Sequence, residues 1–381
     1  LLTISAFAQD KLRLVNSGQL LREGIQYHDE EKYDKAILKY KQIPENDTNY
    51  VLAQFELGLT YMAQKSFDKA IDLYTNILQS ESQYRSSFFQ QLGNAYSQNK
   101  QLDKALETYR LGLKEFPYYF RYYSEMGAAC FINDQPVLAL KYLDSCLKIN
   151  FTYGRAHYLM GQVCAKNNYF IPAMLSYQMA AYLSYDDEVG LNALVEIQKI
   201  ANGEIIINKD SITKLFPDNE NNFEEIDEII RSKSELSEKY KVKPAVNLPF
   251  DALVKGLHLV NNRISMFPEG KGWYYENLVP FYNAWWAKKE FPIMMYRMCN
   301  AVNNEQTKKM FAKNKPKIEK HFYEFFNSLL DTRFTYQGRI NGKTEVYKHI
   351  FTYATNNLFM IMPKDEDYDL SKPHEPKTGY Y

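Results

Sequence analysis

The apolar positions of the first half recur at helical spacing, in paired blocks. Leu52, Phe55, Leu59 and Met62 fall three or four residues apart, the period of one helix face. Gln64-Lys65-Ser66 interrupts that run, and Phe67-Asp68-Lys69-Ala70-Ile71-Asp72-Leu73-Tyr74 opens a second apolar face. The couplet returns along the chain. Ala36, Ala70, Ala105, Ala139 and Ala173 are 34, 35, 34 and 34 residues apart. Twelve residues before each stands Gly24, Gly58, Gly93, Gly127 or Gly161. Three residues after each glycine comes Tyr27, Tyr61, Tyr96, Cys130 or Cys164; four after each alanine comes Tyr40, Tyr74, Tyr109, Leu143 or Tyr177. This period predicts stacked helix pairs. Small residues let two helices approach, aromatics fill the space between pairs, and no pair can bury its apolar face alone.

These positions resemble the tetratricopeptide repeat (TPR) family, whose pattern runs Trp-x2-Leu-Gly-x2-Tyr, then Ala, Phe and Pro. The third unit matches at Phe89, Leu92-Gly93, Tyr96, Ala105, Tyr109 and Pro117. The second carries Leu57-Gly58 and Tyr61, the fourth and fifth Met126-Gly127 and Met160-Gly161, and the first only Glu23-Gly24. The resemblance spans about residues 17–187 and implies an α-solenoid of five helix pairs. Val189, Leu191, Leu194, Ile197 and Ile200, stopped by Asn202-Gly203, predict a capping helix over its last apolar face. The fold expected is mostly α, with a smaller, mainly helical C-terminal region holding a candidate β-hairpin around Asn341-Gly342. The domains expected are a signal remnant at 1–8, the solenoid with its cap at 17–203, a linker and charged helix at 204–249, an aromatic-rich domain at 250–362 and an extended tail at 363–381.

The resemblance further implies a concave face lined by the first helix of each pair. It places there Phe55, Leu59 and Met62, then Gln90 and Asn94, then Arg121, then Arg155, Tyr158, Gln162 and Lys166. One end is apolar and the other polar to cationic, which suits a peptide with an apolar end and an acidic end. The competing reading has some of these residues pack against the chain's own C-terminal region. The family's co-chaperone form uses a Lys/Asn/Arg clamp, and Gln90 and Asn94 do not complete one, so a chaperone-tail reader is not expected.

Charge and composition narrow the field. Lys+Arg and Asp+Glu are 46 each, so the chain lacks the basic excess of a nucleic-acid binder. Trp273, Tyr274, Tyr275, Phe281, Tyr282, Trp285 and Trp286 crowd into one short stretch. Either they form the core of the C-terminal region, or Trp273, Trp285 and Trp286 make an exposed aromatic surface for a partner, a sugar or a membrane. Lys308, Lys309, Lys313, Lys315, Lys317 and Lys320 form a basic run with Phe311 and Ile318 interleaved. It reads as a solvated helix face or as a patch for anionic lipid, glycan or an acidic partner.

Chemistry is sparse. The four cysteines read as small buried hydrophobes, with a Cys146–Cys164 bridge as the alternative. The six histidines show no ligand spacing, and no phosphate loop, dinucleotide fingerprint or nucleophile elbow occurs. No catalytic residue, cofactor or metal is expected. Leu1-Leu2-Thr3-Ile4-Ser5 followed by Ala6-Phe7-Ala8 reads as the end of a signal peptide cut after Ala8. No later apolar run reaches the ~18 residues a membrane span needs. The expectation is a soluble, exported, periplasmic scaffold for membrane-associated protein partners of a cell-envelope assembly, such as outer-membrane protein insertion, secretion or motility. A glycan-binding or enzymatic C-terminal module docked by the solenoid is the alternative. A cytosolic adaptor follows if the N-terminus is not cut.

Overall fold

A computed structural model describes residues 16–79, 82, 84–117, 119–204, 213–232, 240–332, 336–340, 343–352 and 359–363. The expected signal segment and the tail beyond Pro363 lie outside the described residues. The chain divides into two compact units, residues 1–125 and 126–381.

The first unit is built from helix pairs: α1 (Ser17–Asp29) with α2 (Tyr33–Tyr40), α3 (Tyr50–Ala63) with α4 (Phe67–Ile77), and α5 (Arg85–Gln98) with α6 (Leu102–Glu115). One contact recurs in each. A Cβ placed on Gly24 would overlap the ring of Tyr40; on Gly58 it would meet Tyr74, and on Gly93 it would meet Tyr109. All three rings are fully buried, as are Ala36, Ala70 and Ala105 one turn before them. The sixteen-residue spacing from glycine to tyrosine is therefore the point of closest approach between the two helices of a pair.

The turn inside each pair is also fixed. Glu31, Lys65, Lys100, Asp134 and Asn168 all adopt left-handed backbone, with φ of 58°, 59°, 58°, 59° and 66°. The next amide in each turn reaches back to the helix: Lys32 N donates to Tyr27 O, Ser66 to Tyr61, Gln101 to Tyr96, Gln135 to Cys130 and Tyr169 to Cys164, at 2.8–2.9 Å. This is the Schellman closure, which glycine ordinarily serves. None of the five positions is glycine, and each bears a strain of about 1 kcal/mol.

The division between units falls within α7 (Phe120–Ile132). The second unit continues with α8 (Pro136–Ile149), α9 (Gly154–Lys166) and α10 (Phe170–Leu183). Here a Cβ on Gly127 would strike Leu143, and one on Gly161 would strike Tyr177. Helix α10 differs from the earlier second helices: it carries no charged residue, and all 14 of its residues are buried. Covering it takes α9, α11 (Glu188–Asn202), α12 (Glu224–Ser232) and α16 (Phe291–Met298). Polar groups on α10 are tied to side chains from later in the chain. Tyr282 Oη donates to Leu175 O at 2.7 Å, Arg297 Nε to Tyr182 O at 2.8 Å, and Asn261 Nδ2 to Gln178 Oε1 at 3.1 Å. Ser176 Oγ and Cys164 Sγ both meet Tyr274 Oη, at 2.8 and 3.2 Å.

Helix α11 has the expected bounds, with Asp187 capping Gly190 N and Gly203 in left-handed backbone at φ 66°. It packs on α10, as expected, but does not end the stack. Helix α13 (Asp251–Met266) packs over it, and a Cβ on Gly256 would fall 2.9 Å from that of Ala201. A helix as apolar as α10 needs more cover than α11 alone gives. Helices α14 (Trp273–Asn277), α15 (Val279–Ala287) and α17 (Glu305–Thr332) complete this unit's helices. All four cysteines are buried thiols, and the Cys146–Cys164 bridge is not formed. Past α17 run strands β1 (Tyr336–Ile340), β2 (Lys343–Thr352) and β3 (Phe359–Pro363), antiparallel and in that order. The expected turn at Asn341-Gly342 lies outside the described residues.

On α17, Lys309, Lys313, Lys317 and Lys320 are exposed and spaced four, four and three residues apart. Like charges so placed cost a helix roughly 0.2–0.5 kcal/mol per pair.

Stability measurements check this packing. Gly93→Ala is expected to lower unfolding free energy by about 1–3 kcal/mol through overpacking against Tyr109. Gly18→Ala, whose Cβ would have its nearest neighbour at 3.6 Å, is expected to be neutral or to gain up to ~1 kcal/mol. Lys100→Gly is expected to stabilise by up to about 1 kcal/mol in urea unfolding, by relieving the left-handed turn.

Candidate partner-binding face

The residues expected on the concave face are used differently in the two units. In the first, Phe55 packs edge-on against Phe88, with ring centroids 5.7 Å apart; Met62 is buried and Leu59 half-buried. Gln90 accepts from Tyr119 Oη at 2.9 Å and donates to Glu125 Oε1 at 3.1 Å. Asn94 accepts from Tyr109 Oη at 2.6 Å, the hydroxyl of the ring that lies on Gly93. The side-chain amides of Gln90 and Asn94 are thus engaged by the repeat's own framework. Arg121 is half-buried, its guanidinium 5.9 Å from the Phe120 ring centre.

In the second unit the four expected residues of α9 remain together. Arg155 and Lys166 are exposed, and Tyr158 and Gln162 are half-buried between them. Gln162 Nε2 donates to Tyr158 Oη at 3.2 Å, and the Tyr158 ring lies 5.6 Å from that of Tyr177. Lys166 pairs with Asp134 at 2.9 Å and sits 5.3 Å over the Phe131 ring. Helix α11 adds charges that the sequence reading missed. Burial pushes the Tyr158 phenol up; the charges of Glu196 and Glu188 push the same way, and that of Lys199 opposes them. Lys199 pairs with Glu196 at 2.7 Å. Beside them on α11, Leu191 and Val195 are exposed, at 37% and 44%. The α9 face thus presents an aromatic ring between two exposed cations.

The tryptophans do not make an exposed aromatic surface. Trp285 is buried, with its ring centroid 4.7 Å from Tyr182, 5.0 Å from His321 and 5.3 Å from Phe325. Trp273 is half-buried and donates Nε1 to Asp144 at 2.8 Å; Trp286, also half-buried, sits edge-on to His258 at 4.9 Å. Trp285 thus packs against α10, and all three rings are engaged by neighbouring side chains.

One arrangement outwardly resembles a catalytic relay. Tyr182 Oη meets His321 Nδ1 at 2.7 Å, and His321 Nε2 lies 3.5 Å from Glu290. Tyr182 is fully enclosed, and Arg297 lies 3.9 Å over the Tyr185 and Phe322 rings beside it. No reacting group could reach it without opening the core, so the geometry is that of a core network. Among the described residues, no cluster of three or more His, Cys, Asp or Glu could hold a metal ion.

Burial, assisted by the Arg297 charge, pushes His321 down to about 4; burial pushes His157 to about 4, where Nε2 meets Phe151 O at 2.8 Å. Both groups ionise more readily unfolded. Their contribution is therefore complete above the unfolded value near 6.5, and it is lost as pH falls from there toward 4. Urea unfolding is expected to weaken by about 1.4 kcal/mol per histidine for each pH unit below ~6.5. A His157→Gln variant should show a shallower slope.

No protein-family profile matches this chain, and no curated protein sequence matches it. Solved structures similar to it are repeat proteins. A thermophilic TPR protein of Thermus thermophilus is 16% identical over 47% of this chain and 96% of its own, with a TM-score of 0.40. PilF of Pseudomonas aeruginosa is 15% identical over 49% and 92%, with a TM-score of 0.36. YrrB, described as a TPR protein with an unusual peptide-binding site, is 16% identical over 47% and 91%, with a TM-score of 0.31.

Proposed function

We propose that this protein is a non-enzymatic TPR scaffold that holds a protein partner on the first helices of its repeats, chiefly on α9 and α11. The observation that carries this reading is the grouping of Arg155, Tyr158, Gln162 and Lys166 on one face of α9, with both cations exposed. An aromatic ring between exposed cations fits a segment bearing an apolar side chain flanked by carboxylates. The α9 face is favoured over the first unit's because both its cations, Arg155 and Lys166, reach solvent, whereas Arg121 is half-buried.

The setting proposed is the periplasm, in an assembly of the cell envelope such as outer-membrane protein insertion, secretion or motility. Ala6-Phe7-Ala8 after an apolar run supports export. No helix among the described residues is long and apolar enough to cross a membrane. Partners would then be membrane-associated envelope components.

The test is a pull-down of the tagged protein from envelope fractions, read by quantitative mass spectrometry. The combined variant Arg155→Glu, Tyr158→Ala, Lys166→Glu is expected to lose its stoichiometric partner at least tenfold while keeping the wild-type circular dichroism spectrum. Undiminished recovery by that folded variant would refute the assignment of the face.

A further inference from the structure

A second cluster of exposed charge stands on α17. Thr307, Ile318, His321, Phe325 and Leu329 turn one side of this helix into the core, and Phe311 stacks on Tyr185 with ring planes 13° apart. The other side is thereby held outward, and it carries Lys308, Lys309, Lys313, Lys315, Lys317 and Lys320, all exposed. The exposed acids among them are Glu305 and Glu319. Lys309, Lys313 and Lys317 have no ion-pair partner among the described residues, while Lys315 reaches Glu319 only at 3.7 Å. Their spacing sets like charges on neighbouring turns, which works against the helix. A second element widens the patch. Glu324 is shared by Lys320 at 3.8 Å and by Lys288 at 2.9 Å, and the exposed Lys289 follows at the end of α15. Tyr323, 53% exposed, stands three residues beyond Lys320.

We propose that this face of α17, with Lys288 and Lys289, docks the protein on an anionic lipid surface. The cations are all lysines, compact point charges on flexible stems, which suit a plane of phosphates better than the bidentate geometry arginine supplies to single carboxylates. They spread over two elements, and a row of exposed lysines gives an extended peptide little to fix its register. An exposed tyrosine at the margin suits the headgroup level, where its ring and hydroxyl are both satisfied. A chain of zero formal net charge would gain no such attraction from its average charge; it comes from this local concentration.

The experiment is co-sedimentation of the full chain with vesicles of phosphatidylcholine, with and without about one third phosphatidylglycerol, at low salt and at about 0.5 M salt. Binding is expected only with phosphatidylglycerol and only at low salt. The variant Lys309→Gln, Lys313→Gln, Lys317→Gln is expected to bind roughly a hundredfold more weakly at an unchanged melting temperature. Arg155→Ala with Lys166→Ala is expected to bind vesicles as wild type does, which separates this surface from the α9 face. Absence of wild-type binding, equal binding to neutral vesicles, or full binding by the glutamine variant would overturn the proposal. So would capture of poly-glutamate in place of vesicles, which would assign the patch to an acidic protein.

Discussion

At one position in every repeat the first helix carries no side chain, and the rest of the structure depends on that gap. The ring of Tyr40, Tyr74, Tyr109 or Tyr177 lies where a Cβ of Gly24, Gly58, Gly93 or Gly161 would stand, and Leu143 takes that place against Gly127. The approach sets the distance between paired helices, and so which residues of the first helix are left facing outward. It also decides the fate of candidate recognition residues: Asn94 is bound by the hydroxyl of Tyr109 because that ring crosses its helix at the glycine. The left-handed turn residue seven positions after each glycine keeps the register constant.

The second unit is organised by a different constraint. A surface helix ends its apolar stripe at a polar face, and α4 does so with Asp68, Lys69 and Asp72. Helix α10 has no such face, so burying it recruits helices from far along the chain. Tyr274, Tyr282, Trp285 and Arg297 are spent on that task. The dense aromatic content of the C-terminal region is largely the material of this enclosure. The α9 face and the lysine face of α17 are the two surfaces proposed for binding.

Much of the repeat was legible in advance, because glycine, alanine and tyrosine recur at constant separation and each separation maps onto one contact. The end of α11 was legible from Asn202-Gly203. The groove was only half legible. Spacing placed Gln90, Asn94 and Arg155 alike on first helices, but nothing in spacing says which amides a neighbouring tyrosine will engage. That Glu196 and Lys199 act on Tyr158 was not legible, because spacing along α11 does not say which of its sides meets α9. The role of the tryptophans was undecided for want of a partner to pack on; the uncharged run from Phe170 to Leu183 was the signal that could have supplied it.

The C-terminal helices and the fifth repeat form one core around α10, and amide hydrogen exchange of the full chain under native conditions tests this most directly. Peptides from α10 and from α13 to α16 are predicted to exchange together and only through unfolding of their whole unit, with the greatest protection in α10. Exchange of α13 to α16 well ahead of an unperturbed α10 would contradict a shared core and make the C-terminal region a separately folding module.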